Sequence, residues 1–393
     1  MSKYKKKSVI SSRVTEIPTS GIRRFFDLIA SSDNIISLGV GEPDFITPWH
    51  IRESAIYSIE RGHTHYTSNN GIPELRRELS KYLEQRQGIT YDWNSEILVT
   101  VGVSEALDLV MRTLLDNDDE VISTEPSFVA YEPVVYMAGG SFVPIPTSMD
   151  NEFIIQIKDL ERSITPKTKI LLINNPNNPT GSVISNDILV EISKIVEKND
   201  LIVVSDEIYD RLTYSENKPG IHFASLPGMK ERTVTLNGFS KTFAMTGWRI
   251  GYATGPAEII SAMTKVHQYT MMSASTVSQE AAIEALKNGE NSFQNMLKDY
   301  RLRKRLLVDG LREAGLDCVD PDGAFYVFPS IQSTGLTSEE FAEMLLVEEK
   351  VAVVPGNVFG PSGEGYIRCC YAASIDDIRE AILRIKRFLK NHR

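Results

Sequence analysis

Lys241 and Arg249 are the only charged side chains in the run Asn237–Tyr252, NGFSKTFAMTGWRIGY. The run lies between two apolar segments that read as strands, Thr233–Leu236 and Ile250–Thr254. A lysine in small, apolar and hydroxylated surroundings loses hydration, so its amine becomes neutral at a lower pH than usual. Such an amine can condense with an aldehyde. An arginine close by offers a planar fork suited to a phosphate dianion. Taken alone, the two also read as ordinary loop and strand-end charges.

Further residues complement this pair. Leu201–Ser205 is a near-continuous apolar run, as expected of a parallel strand buried on both faces. Asp206 then falls at the strand's C-terminal edge, where open α/β sheets bind ligands. It is either a helix N-cap or a partner for a heterocyclic nitrogen, kept protonated by the carboxylate so that the ring withdraws electrons. Tyr209 follows one short turn later. Upstream, the strand Ile97–Val101, the turn Gly102-Val103-Ser104 and a helix from Glu105 to Leu115 form an anion site. Its donors are the amides of Val103 and Ser104 and the Ser104 hydroxyl. Phe128, just past the strand Glu120–Ser123, is a packing residue or a stacking surface. An amine for an aldehyde, a cradle for a phosphate and a carboxylate for a ring nitrogen are what pyridoxal 5′-phosphate (PLP) requires. Arg368 sits inside an apolar strand, which is costly unless the charge is paired.

Ser240–Tyr252, S-K-x-x-x-M-T-G-W-R-x-G-Y, resembles the lysine signature of class I/II, fold-type I, PLP-dependent aminotransferases. Gly39–Phe45, G-x-G-E-P-D-F, and Asn177–Gly181, N-N-P-T-G, are similar to two further segments of that family. The resemblance runs from about Gly21 to Leu389 and is closest to bacterial alanine, aspartate and broad-range aminotransferases. It implies that Lys241 is the catalytic lysine, acting as general base and acid, and that Ser240 and Arg249 also contact the cofactor. Phe128 would stack on the ring, Asn178 and Tyr209 would reach its phenolic oxygen, and Gly41 would bring a backbone group to the substrate carboxylate. Asn178 would also border the substrate, and Arg368 would hold its α-carboxylate as a fork, although the following residues are R-C-C-Y-A rather than the common R-L-S-Y-A. Tyr66 matches a tyrosine that crosses to the partner's cofactor phosphate, which implies a homodimer with shared sites. Aspartate-preferring members carry a lysine at the position of Ser104, so an uncharged Ser104 favours alanine or another neutral donor, with 2-oxoglutarate as the usual acceptor. Arg23 is a candidate for reading the acceptor's distal carboxylate.

Strands starting near residues 97, 120, 142, 170, 201, 233 and 250 predict an α/β fold with a seven-stranded, mostly parallel sheet. A short helix is expected at Ile22–Ala30, another at Pro48–Arg61, and a long charged one over about Ser292–Ala314. Beyond it, Asp322–Phe328, Val351–Gly356 and Tyr366–Ala372 read as strands, with helices near Ser338–Glu349 and Ile375–Leu389. The expected division is an N-terminal arm and part of a small domain (1–45), a large cofactor-binding domain (46–290) and a small α+β domain (291–393).

The 393-residue chain has a net charge of −10, which argues against nonspecific nucleic-acid binding. The basic start, Met1–Lys7, reads as a solvated terminus without a secretory apolar run, and no stretch is apolar enough to span a membrane. Three cysteines, two adjacent, fit a reduced cytoplasmic setting. No metal is expected: His63 and His65 have no evident third ligand. The glycines at 39 and 41 do not form a dinucleotide fingerprint, because Asp44 replaces its third glycine. Other readings on the same fold are an aspartate, aromatic or N-acyl-diaminopimelate aminotransferase and a PLP-dependent C–S lyase. A PLP-sensing transcription regulator would need an added DNA-binding domain.

Overall fold

The computed structural model describes residues 9–17, 34–214 and 222–392. Its strands, in chain order, are β1 (Ile36–Ser37), β2 (Ile97–Thr100), β3 (Glu120–Glu125), β4 (Ser141–Pro146), β5 (Thr168–Asn174), β6 (Ile202–Asp206), β7 (Thr233–Gly238), β8 (Gly251–Thr254), β9 (Tyr326–Val327), β10 (Val351–Ala352), β11 (Val354–Pro355) and β12 (Ile367–Cys370). Seven form one sheet in the order β2-β8-β7-β6-β5-β3-β4. All pairings from β7 to β4 are parallel, and β8 runs antiparallel to both its neighbours. The expected seven-stranded, mostly parallel sheet is therefore present.

The strands are apolar on both sides because both sides are covered. Val121, Ile170, Leu172, Val204 and Leu236 pack with the helices Gly102–Leu114 and Ala257–Thr270. The alternate residues Ile122, Leu171, Ile173 and Val203 pack with Ile157–Ser163 and Asn186–Lys198. This period-two division of one run between two cores is what strand geometry dictates.

Six strands point their C-terminal ends to one edge. Because β8 is antiparallel, its N-terminal end lies at that same edge, and Arg249 lies two residues before it. Gly238, Gly251 and Thr100 lie side by side there. A Cβ on Gly251 would fall 2.8 Å from the Gly102 carbonyl carbon and 2.9 Å from the Val103 nitrogen, so the turn after β2 rests directly on Gly251.

A smaller α+β domain carries the antiparallel sheet β11-β12-β9 and the parallel pair β1-β10. The helices Glu290–Glu313, Ser338–Glu349 and Ile375–Asn391 cover them. Three expectations change here. Val351–Gly356 is not one strand: it breaks at Val353, and its halves pair in different sheets. Of Asp322–Phe328 only Tyr326 and Val327 pair with β12, while Gly323 bridges to Thr213. Gly102–Ser104 is not a separate turn but the first turn of the helix that follows, entered through a Gly102 φ of +77°. The helix at Ile22–Ala30 lies outside the described residues, and Ser12–Glu16 forms a helix that the sequence pattern did not suggest. Among the described residues no helix is long and apolar enough to cross a membrane.

Replacing Gly251 by alanine puts a methyl group against backbone that cannot rotate away. Gly251→Ala is expected to lower unfolding free energy by about 1–3 kcal/mol, read by denaturant titration. An unchanged midpoint would mean that the turn does not rest on this glycine.

Candidate active site

At this edge lies a cavity of about 620 Å³, within the range of small-molecule sites. Its lining includes Gly41, Val103, Ser104, Phe128, Asn178, Asp206, Tyr209, Ser240, Lys241, Arg249 and Arg368. The structure thus brings together every sequence-predicted site residue except Tyr66, which is 82% exposed and does not line the cavity. Arg23 lies outside the described residues.

Lys241 follows β7 and is half-buried. Its Nζ donates to the Gly41 carbonyl at 2.6 Å. Loss of hydration brings its pKa down to about 8, with Arg368 and Arg249 pushing the same way and Cys370 and Glu42 opposing. Asp206, at the end of β6, is buried, and desolvation pushes its carboxyl up to about 6. Its oxygens accept from the Tyr131 hydroxyl at 2.8 Å and the Ile208 amide at 3.2 Å. Both donors are neutral. A cationic N–H in the cavity would supply the missing positive charge.

Arg249 has φ +50° at the end of a short 3-10 turn, and its Nη1 donates to the Thr246 carbonyl at 2.9 Å. A Cβ on Gly102 would lie 2.7 Å from Arg249 Nη2, so only glycine lets the guanidinium seat against the helix start. Gly41 is constrained from another side: its Cβ would meet the Tyr326 hydroxyl at 2.5 Å.

Arg368 projects from β12 and is buried. Its Nη1 donates to Asn178 Oδ1 at 2.9 Å and its Nη2 to the Gly39 carbonyl at 2.7 Å. The Tyr326 ring lies 4.4 Å from the guanidinium carbon, and Nε is buried without a hydrogen-bond partner. Asn178 is itself placed by a bond from its amide to Asn174 Oδ1 at 2.8 Å.

Tyr131 and Tyr326 were not singled out in the sequence. Tyr131 is three residues beyond Phe128 as a helix begins, so the two rings meet edge to face at 5.6 Å. That i, i+3 spacing was the available signal. Tyr326 meets the Tyr209 hydroxyl at 2.8 Å through a pairing between β9 and β12 that no local pattern announces. His63 pairs with Glu280 at 3.3 Å, and among the described residues no cluster of three or more His, Cys, Asp or Glu could hold a metal. The three cysteines are free and buried. Burial pushes the Cys370 thiol up to about 11, so it is not a thiolate at neutral pH.

These residues fit PLP. A neutralisable amine, a glycine-entered helix N-terminus with Ser240 and Arg249, an aromatic wall and a buried carboxylate lacking a bonded cation surround one space of suitable size. An α/β fold of this topology with that lysine defines a fold-type I PLP-dependent enzyme. The family model "Aminotransferase class I and II" matches residues 33–385. The chain is 54% identical to YugH of Bacillus subtilis, named as an aminotransferase without a stated substrate, over 97% of this chain and 98% of that protein. It is 45% identical to an aspartate aminotransferase of Pyrococcus abyssi, over 97% and 98% of the two chains. An aromatic aminotransferase structure from Pyrococcus horikoshii superposes with a TM-score of 0.89 at 43% identity, covering 94% of this chain and 99% of that one. The chain belongs to the class I and II aminotransferases, which are PLP-dependent enzymes.

Because the folded Asp206 pKa lies above its value in the unfolded chain, its ionisation opposes folding. The protonated form is fully compatible with the fold below pH about 4, and the cost grows as pH rises through about 6. In cofactor-free protein at pH 8, Asp206→Asn is expected to be more stable than wild type, by at most about 3 kcal/mol, with the gap closing near pH 4. Melting curves at both pH values check this, and a less stable variant at pH 8 would contradict it.

Proposed function

We propose that this aminotransferase takes its amino group from L-alanine or another neutral L-amino acid and passes it to a 2-oxo acid such as 2-oxoglutarate. The observation supporting the choice is the distribution of charge. Among the described residues, the cations lining the cavity are Lys241, Arg249 and Arg368. In this reading each has a task, and the wall near Ser104 offers Val40, Val103 and Leu107, none of which attracts a distal carboxylate. The second reading, an aspartate donor, is favoured by the Pyrococcus abyssi relative's name.

Bound PLP supplies a sink for the electron pair left when the substrate's Cα–H bond breaks. The protein's residues do the rest. Arg368 would hold the α-carboxylate; among the described residues its Nε has no acceptor. Lys241 Nζ takes the proton from Cα, and a pKa of about 8 keeps a useful fraction of the amine neutral near pH 7. Asp206, held by hydrogen bonds from the Tyr131 hydroxyl and the Ile208 amide, would keep a proton on the ring nitrogen. When PLP is bound, Phe128 would bound the ring's face, Asn178 and Tyr209 would serve its phenolic oxygen, and Val103, Ser104, Ser240 and Arg249 would hold the phosphate. Two half-reactions share this apparatus, so ping-pong kinetics are expected.

In this reading the enzyme is a cytoplasmic homodimer. Tyr66, Ile46, Trp49, Tyr269, Met271 and Met272 are large apolar side chains left exposed, a composition suited to a partner surface. The large domain is taken as 46–290, with 1–45 completing the small domain at 291–393; the pairing of β1 with β10 supports that division. Sedimentation should give one species of twice the 44.0 kDa chain mass; a monomer would contradict the dimer.

Single-turnover mixing of the PLP-loaded enzyme with L-alanine and with L-aspartate tests the substrate. Loss of the cofactor's visible absorption should be faster with alanine and reversed by 2-oxoglutarate. Ser104→Lys should raise the aspartate-to-alanine ratio, by roughly tenfold for one added ion pair. Faster loss with aspartate in the wild type, or an unchanged ratio in the variant, would overturn the neutral-donor reading.

A further inference from the structure

We infer that Glu105 and His267 form a buried positioning pair beneath the phosphate turn, in which a hydrogen bond with the His267 imidazole compensates the buried Glu105 carboxylate so that a phosphate dianion can bind. The inference rests on the assignment of the phosphate to Val103, Ser104, Ser240 and Arg249.

The geometry begins at Val101, the residue before the helix. Its amide donates to Glu105 Oε2 at 2.5 Å. The next residue, Gly102, is the one against which Arg249 packs, and the two after it line the cavity. Glu105 therefore pins one side of a turn whose other side faces Arg249. An acid in a helix's first turn is favourable by itself and needs no partner when solvated. This one is only 10% exposed and has a dedicated partner: His267 Nδ1 lies 2.6 Å from Oε1, and His267 is fully buried.

His267 belongs to the helix Ala257–Thr270, which packs against Gly102–Leu114. Its Nε2 is buried with no hydrogen-bond partner. A polar atom left in that state opposes folding, so an apolar side chain would fill the space at lower cost. Among the described residues, the imidazole's one polar contact is Glu105. Without it, a buried carboxylate would stand next to a site that must accept two negative charges, and like charges in low dielectric repel strongly. The His267 backbone carbonyl separately accepts the Met271 and Met272 amides, so side-chain changes leave the helix end intact.

The test compares binding of PLP and of pyridoxal, which lacks the phosphate, to the cofactor-free protein by fluorescence titration. His267→Phe should weaken PLP binding at least tenfold, equivalent to about 1.4 kcal/mol, and leave pyridoxal within about twofold. Glu105→Gln/His267→Phe, which removes the unpaired charge, should return PLP to within about threefold of wild type. Equal weakening of both ligands, or no recovery in the double variant, would show a packing role only and overturn the proposal. Glu105→Gln alone keeps an acceptor for Val101 and should bind PLP as tightly as wild type; a tenfold loss would also overturn it. Arg249→Gln separates the underlying assignment: it should weaken PLP far more than pyridoxal, and equal weakening would mean that the phosphate lies elsewhere.

Discussion

Removing charged groups from water at one edge of one sheet is the constraint on which this structure depends. Asp206 and Arg368 are buried, and Lys241 is deep enough for its amine to be substantially neutral near pH 8. The chain's own described groups do not fully compensate these states. Asp206 has two neutral donors, and Arg368 has an unpaired Nε. A ligand with a cationic ring nitrogen, an aldehyde and a carboxylate-bearing partner relieves all of them together. The same uncompensated charges that shift these groups' titration also select the ligand that completes them.

Strand direction does the assembling. Parallel strands deliver their loops to the edge where Phe128, Asn178, Asp206 and Lys241 meet, and the reversal at β8 returns Arg249 to it. Two glycines make the assembly dense. Gly102 admits the Arg249 guanidinium and Gly251 admits the Gly102 turn, so helix start and sheet are in direct contact. The smaller domain closes the circuit through Arg368, which grips Asn178 of the large domain and Gly39 of the N-terminal segment at once. A substrate carboxylate that draws on this guanidinium therefore acts on the seam between the two units.

Much of this was legible because the chemistry is concentrated in short runs. The lysine segment, the Asp206 strand end and the N-N-P-T-G loop each carry their identity locally, and the two-sided apolar strands announce a covered parallel sheet. What escaped were partners made by tertiary packing. Tyr131 is meaningful only once its hydroxyl meets Asp206, and Tyr326 only once β9 pairs with β12. Glu105 reads as an ordinary first-turn acid until His267, 162 residues away, lies against it. The split of Val351–Gly356 between two sheets is likewise decided by β1 and β12, not by the run's own composition.

The same contrast separates reaction from substrate. Residues that manage charge on the cofactor face fixed demands, so their types and spacings are narrow and readable. A substrate's side chain is met by whatever wall remains beside these groups; the uncharged lining of the cavity includes Val40 and Leu107. An apolar wall discriminates weakly between neutral side chains that differ by a methylene, by about 1–3 kcal/mol. It discriminates more sharply against a second carboxylate, which would lose its hydration there without gaining a cation. Under the neutral-donor proposal, replacing the one uncharged side chain at position 104 by a cation would change substrate choice while leaving Lys241 and Asp206, the groups proposed to handle the proton, as they are.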